Sequence, residues 1–103
     1  MKTSKTHRGF SISEFKDRYG ASCSIQKSSL GTEDAIWFGI DNVIPRIMAV
    51  DAKRIGIETN EVNGWIDYQI PKEVLLSSRM HLTQEMVAEL LPTLIRFAKT
   101  GEL

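Results

Sequence analysis

Residues 82–101 constrain this chain more than any other stretch. Val87, Leu90, Leu91, Leu94, Ile95 and Ala98 recur at the i, i+3, i+4, i+7, i+8 spacing that gathers them on one helical stripe. Gln84, Glu85, Glu89, Thr93, Arg96 and Lys99 fall mostly elsewhere. The start is marked by Thr83, whose hydroxyl suits an N-cap, with Glu85 adding negative charge at the positive end of the helix dipole. Arg96 and Lys99 suit the opposite end, and Gly101 can take the left-handed conformation that closes a helix. Pro92 lies inside, where it deletes the N–H that would bond the Ala88 carbonyl, so a kink is expected there rather than two helices. An apolar stripe of this length requires something apolar to cover. The helix is therefore read as a lid on one side of a β-layer, leaving the reverse side free for recognition.

The rest of the chain supplies such a layer. Phe10 and Ile12 alternate with serines, and Asp17-Arg18-Tyr19-Gly20 has hairpin-turn chemistry. Ala21, Cys23 and Ile25 then alternate with Ser22, Ser24 and Gln26. If Arg18 and Tyr19 form the tip, Ile12 lies opposite Ile25. Residues 28–34 read as a loop, and Ala35–Ile40 as the strongest strand, with Ile36, Phe38 and Ile40 facing one way and Trp37 the other. Residues 44–50 read as a returning strand, 51–64 as a long mobile connection, 65–70 as another alternating strand ended by Pro71, and 71–76 as a tight turn. Arg79 and His81 alternate with Met80 and Leu82 in a final strand that feeds the helix. The expected fold is α+β, an antiparallel sheet of five or six strands packed on one C-terminal helix. Residues 1–8 read as a flexible N-terminal tail and residues 9–103 as a single domain.

Charge and cysteine content narrow the function classes. Thirteen basic residues balance thirteen acidic ones, giving no net charge and no general attraction to nucleic acid or an anionic membrane. No apolar run reaches the length of a membrane span, and the basic N-terminus has no apolar segment behind it. One cysteine, Cys23, cannot form an intramolecular disulfide, which fits a reducing cytoplasm. The two histidines, His7 and His81, make no metal-ligand spacing, and Gly31, Gly39 and Gly56 stand singly rather than in a phosphate-cradling loop, so neither metal nor cofactor is expected. Cys23 shares the apolar face of its strand with Ile25, and is read as a core thiol rather than a nucleophile paired with His81. Glu33-Asp34 reads as a solvated loop pair.

Binding is better supported than catalysis. Trp37 points away from the Ile36/Phe38/Ile40 face and Trp65 away from Ile66/Tyr68/Ile70, placing at least one tryptophan on the uncovered sheet surface. With Arg18, Tyr19, Arg46 or Arg79, such a ring can stack a base or anchor a protein partner. His81 beside Arg79 adds a polar row, although a structural histidine near the helix start is the favoured reading of that residue. A dimer seam on the same face is an equal alternative. The candidate binding residues are Arg18, Tyr19, Trp37, Trp65, Arg79 and His81.

Phe15-Lys16-Asp17-Arg18-Tyr19-Gly20, Cys23–Leu30, Ile36-Trp37-Phe38-Gly39 and Arg79-Met80-His81-Leu82-Thr83, with Leu90-Leu91-Pro92 and Phe97–Gly101, resemble a pattern in small accessory proteins of phages and prophages. The resemblance covers both ends and the middle strand but not residues 41–76. It implies a phage protein acting in the cytoplasm of a host bacterium. By analogy with such accessory proteins, it implies a non-enzymatic, homo-oligomeric anti-defence inhibitor that binds stoichiometrically to a defence protein such as a CRISPR effector. The alternative is a sponge that sequesters a nucleotide immune signal. A nucleic-acid-binding regulator is a further alternative, disfavoured by the balanced charge.

Overall fold

The computed structural model describes all 103 residues and is α+β. It divides into two compact units, Met1–Asp41 with Ser78–Leu103, and Asn42–Ser77.

The larger unit holds a five-stranded antiparallel sheet of β1 (Lys2–Lys5), β2 (Ser11–Lys16), β3 (Ser22–Lys27), β4 (Ala35–Ile40) and β7 (Arg79–Thr83), ordered β1-β2-β3-β4-β7. Residues 2–5, read from sequence as part of a tail, pair with β2 because Thr6–Gly9 forms a tight turn. In that turn the Gly9 N–H donates to the Thr6 carbonyl, and Gly9 sits at φ 87°.

The β2–β3 hairpin closes one residue later than expected. Lys16 opposes Ser22, and the loop beyond them is tied by the Asp17 N–H to the Ala21 carbonyl and the Gly20 N–H to the Asp17 carbonyl. Asp17 Oδ1 also accepts from the Tyr19 and Ala21 N–H groups, and Gly20 takes φ 84°. That extra residue changes the register, so Ile12 opposes Gln26 instead of Ile25. Ser13 stands opposite Ile25, and Phe15, opposite Cys23, joins the apolar face that Ile12 was expected to share.

Side chains of directly paired residues share a face, so the register sorts the sheet into two surfaces. One carries the rows Phe15–Cys23–Ile40 and Ile25–Phe38–Met80 with Ile36 and Leu82, and the Phe15 and Phe38 rings meet edge to face at 6.2 Å. The other carries the rows Ile12–Gln26–Trp37–His81 and Glu14–Ser24–Gly39–Arg79. Alternation thus places Trp37, Arg79 and His81 together, as the sequence suggests.

Gly39 allows β7 to lie close. At φ 154°, a Cβ there would stand 2.7 Å from the Ser78 carbonyl oxygen and 3.0 Å from the Arg79 Cα. Both neighbours are backbone and neither can swing aside.

Helix α2 (Gln84–Thr100) begins as read, with the Thr83 hydroxyl accepting from the Met86 N–H at 3.2 Å, and ends at Gly101 with φ 76°. It runs through Pro92 as one helix. The lid expectation is met only in the first turns. Val87, Ala88 and Leu91 border a groove with Ile36 and Leu82, while no α2 residue is fully buried and Leu90, Leu91, Leu94, Ile95 and Phe97 are exposed. Within the larger unit, most of the stripe is exposed.

The smaller unit pairs β5 (Arg46–Met48) with β6 (Trp65–Asp67), joined through α1 (Ala49–Arg54). Helix α1 occupies part of the segment expected to be a mobile connection. Ala49 and Ala52, three residues apart, are its fully buried side chains, and Asp51 pairs with Arg54 at 3.1 Å.

Candidate functional site

The polar face of the sheet carries the one cluster in which aromatic, basic and hydrogen-bonding groups converge. Trp37 and His81 are cross-strand partners, and their rings stack with centroids 3.9 Å apart and planes 7° from parallel. The Arg79 guanidinium stands 5.8 Å from the Trp37 centroid, within range of a cation–π attraction worth about 0.5–1 kcal/mol at an accessible site. Arg79 is held there by a short reach across side-chain-free Gly39. Its Nη1 donates to Gln26 Oε1 at 2.8 Å and makes a longer contact of 3.5 Å to Ser24 Oγ.

Below this layer the polar groups are satisfied internally. Ser24, fully buried, donates its hydroxyl to Asp41 Oδ1 at 2.6 Å. Ser28, also buried, lies 2.9 Å from His81 Nε2 and accepts from the Leu30 N–H. Ser28 and His81 are within nucleophile–base distance, yet no third group orients the other ring nitrogen, and the hydroxyl is shut away from solvent. The pair therefore serves to fix the imidazole against Trp37.

Trp37 also borders a pocket of about 300 Å³, at the small end of ligand sites. Its lining joins Gln26, Lys27 and Ser29 to the β1–β2 turn residues Thr6, His7, Arg8 and Phe10. Arg8 brings positive charge and lies over the Phe10 ring at 5.7 Å, and no carboxylate lines the pocket. Lys27, paired with Ile36, turns its side chain to the other face of the sheet, where its ammonium meets Asp34 at 2.6 Å and, through its hydrogen bond and then its charge, holds the Asp34 carboxyl below its ordinary pKa. An aromatic wall flanked by a cation and amide or hydroxyl groups is suited to a flat ring carrying phosphate.

Three of the six residues singled out from sequence meet here: Trp37, Arg79 and His81. Arg18 and Tyr19 sit at the β2–β3 tip beyond the Lys16–Ser22 pair, four positions along β3 from Gln26, with Tyr19 almost fully exposed. Trp65 belongs to the smaller unit, where it opposes Met48 and is exposed.

Sequence reasoning missed Gln26, Ser24 and Ser28, which show themselves only once the register places them beside Trp37 and Arg79. It also missed His7 and Arg8, which fall in the stretch read as a tail, and Phe10, read only as part of a strand. No group of three or more His, Cys, Asp or Glu residues is arranged to hold a metal ion. No helix is long and apolar enough to cross a membrane. Comparison with family models, with curated proteins and with solved structures finds no match to this chain.

Proposed function

We propose that this chain is a non-enzymatic binding protein that captures a small phosphate-bearing nucleotide in the pocket beside Trp37. The observation that carries the reading is the Trp37 ring, stacked on His81, bordering a pocket with Arg8 and no acid. A base packs against the indole edge of this platform, Gln26 offers an amide to its polar rim, and phosphate is met by Arg8. Joined to the resemblance to phage accessory proteins, this favours a sponge that lowers the free concentration of a nucleotide signal used in bacterial defence. A sponge needs affinity and stoichiometry only, so a platform without a poised nucleophile is adequate for it.

The test is thermal-shift and calorimetric screening of linear and cyclic nucleotides, including ADP-ribose types, against the full chain. One should stabilise it, with ligand recovered chemically unchanged after heat release. Base stacking contributes about 1–3 kcal/mol, so Trp37→Leu should weaken binding roughly 5- to 150-fold, and Arg8→Ala should weaken phosphorylated ligands more than the corresponding nucleosides. Absence of stabilisation by every nucleotide would defeat the reading.

Occlusion of a defence protein is the second reading, supported by exposed Tyr19 and Trp65, which stand outside the pocket and are residue types that anchor interfaces. It requires that Tyr19→Ala or Trp65→Ala abolish inhibition of the target while nucleotide binding is unaffected.

A further inference from the structure

The hydrogen-bonding groups around the Trp37 pocket are one-sided. Gln26 supplies the only side-chain amide of its wall. Arg79 approaches that amide from the Ser24 side of β3, donating from Nη1 to Gln26 Oε1 at 2.8 Å and standing 3.5 Å from Ser24 Oγ. The pocket lies on the Ser29 side, and neither Arg79 nor Ser24 lines it. A guanidinium has donors only, so the amide atom that faces it is the oxygen, and the atom turned away is the nitrogen. Flipping the amide would set donor against donor. Arg79 is held in turn, since the Ser24 hydroxyl gives its own hydrogen to Asp41 Oδ1 at 2.6 Å and the Trp37 ring lies 5.8 Å from the guanidinium. No buried side-chain nitrogen or oxygen of the chain lacks a partner, so Gln26 Nε2, which donates to no other residue, is open to solvent.

The rest of the wall has the same polarity. Thr6 Oγ1 accepts from the Phe10 N–H at 3.0 Å, which leaves its hydrogen to donate. The Thr6 and Phe10 carbonyls are taken by the Gly9 N–H at 2.9 Å and the Thr6 N–H at 2.7 Å. Arg8 has no lone pair to offer, and no carboxylate is present. Among side chains not already accepting, only those of His7 and Ser29 are able to accept.

On the nucleotide reading of this pocket, on which the inference rests, we infer that it selects an oxo base: guanine, hypoxanthine or uracil in preference to adenine or cytosine. An oxo base turns a carbonyl oxygen to Gln26 Nε2. Adenine or cytosine would turn an amino group to it, donor against donor. Adenine carries an acceptor beside its amino group, but an amide reads that pair with its oxygen and nitrogen together, and here the oxygen is spent on Arg79.

Isothermal titration calorimetry of the full chain compares inosine with adenosine monophosphate, and uridine with cytidine monophosphate. Each pair differs by oxo for amino at one ring carbon and by the ring proton that accompanies it. The oxo member should bind roughly tenfold tighter or more, the effect of leaving a donor unpaired in the amino complex. Gln26→Glu keeps an oxygen for Arg79 and puts a second oxygen where Nε2 stood. It should invert both preferences, while its charge weakens all these ligands. Arg79→Met frees the amide to turn, and should bring each ratio to within about threefold of one. Equal affinities within both pairs, a wild-type preference for the amino member, or a preference unchanged by Gln26→Glu would overturn the base assignment and leave the nucleotide reading standing. Binding of no nucleotide at all would defeat both.

Discussion

Gly39→Ala tests the fold and the site at one atom. The new Cβ would sit 2.7 Å from the Ser78 carbonyl oxygen and 3.0 Å from the Arg79 Cα, with Gly39 at φ 154°. Holding a side-chain-bearing residue in that region costs about 1–3 kcal/mol, and the backbone overlap adds to it or is relieved by withdrawing β7. A total of about 2–4 kcal/mol follows, which at about 4–8 °C per kcal/mol lowers Tm by roughly 10–25 °C in scanning calorimetry at fixed protein concentration. The damage should not be confined to stability. Arg79 reaches Gln26 by crossing the position of Gly39, so a β7 that moves outward carries the guanidinium away from Gln26 and Trp37 together. Gly31→Ala is the control, since a Cβ there meets nothing within 4 Å and Gly31 has no positive φ. It should change stability by no more than about 1 kcal/mol. If Gly39→Ala is within about 0.5 kcal/mol of wild type, the close approach of β7 is not needed and the argument for how Arg79 is positioned fails.

Thr83→Ala removes the oxygen that accepts from the Met86 N–H, and should cost about 1 kcal/mol by urea denaturation, with Thr83→Asn close to neutral; equal loss in both would show that the cap is not the cause. Lys27→Met should raise the Asp34 carboxyl toward its ordinary value in a carbon-detected NMR titration. Because the folded-state value is depressed, the ion pair stabilises above the unfolded-state pKa near 3.8 and its contribution is lost as pH falls through the folded value. The stability difference between wild type and Lys27→Met should therefore vanish in acid, and a difference that persists there would refute the assignment.

The parts of the fold legible in the sequence are those fixed by local periodicity. Alternation in 35–40 and 79–83 put Trp37, His81 and Arg79 on the face away from Phe38 and Met80, and Thr83 and Gly101 bracketed α2 because capping is local chemistry. What failed depended on turn geometry. One additional residue in the Asp17–Ala21 loop moved Ile12 to the polar face and Phe15 to the apolar one, a slip that alternation cannot detect since either register preserves it. Likewise, Thr6–Gly9 looked like part of a tail because its flanks are polar, although Gly9 supplies the positive φ that lets β1 fold back and bring Arg8 toward Trp37. Helix α1 was hidden by its brevity, since Ala49 and Ala52 form a single small i, i+3 pair.

The exposed stripe and the small buried core of the larger unit are two aspects of one deficit. Its fully buried apolar residues are only Cys23 and Ala35, both small, while Phe15, Ile25, Ile36, Phe38 and Ile40 are half-buried. Fully burying a large apolar side chain contributes about 1.5–3 kcal/mol, so six α2 side chains left half-exposed forgo roughly 5–9 kcal/mol. That is comparable to the whole net stability of a domain, about 5–15 kcal/mol. A sequence that caps α2 at both ends, keeps its interior strongly helix-forming apart from Pro92, and makes about 200° of its circumference apolar specifies a buried helix. Within the larger unit only the first turns meet a covering surface, at Ile36 and Leu82, on the side of the sheet opposite the face that carries Trp37 and His81.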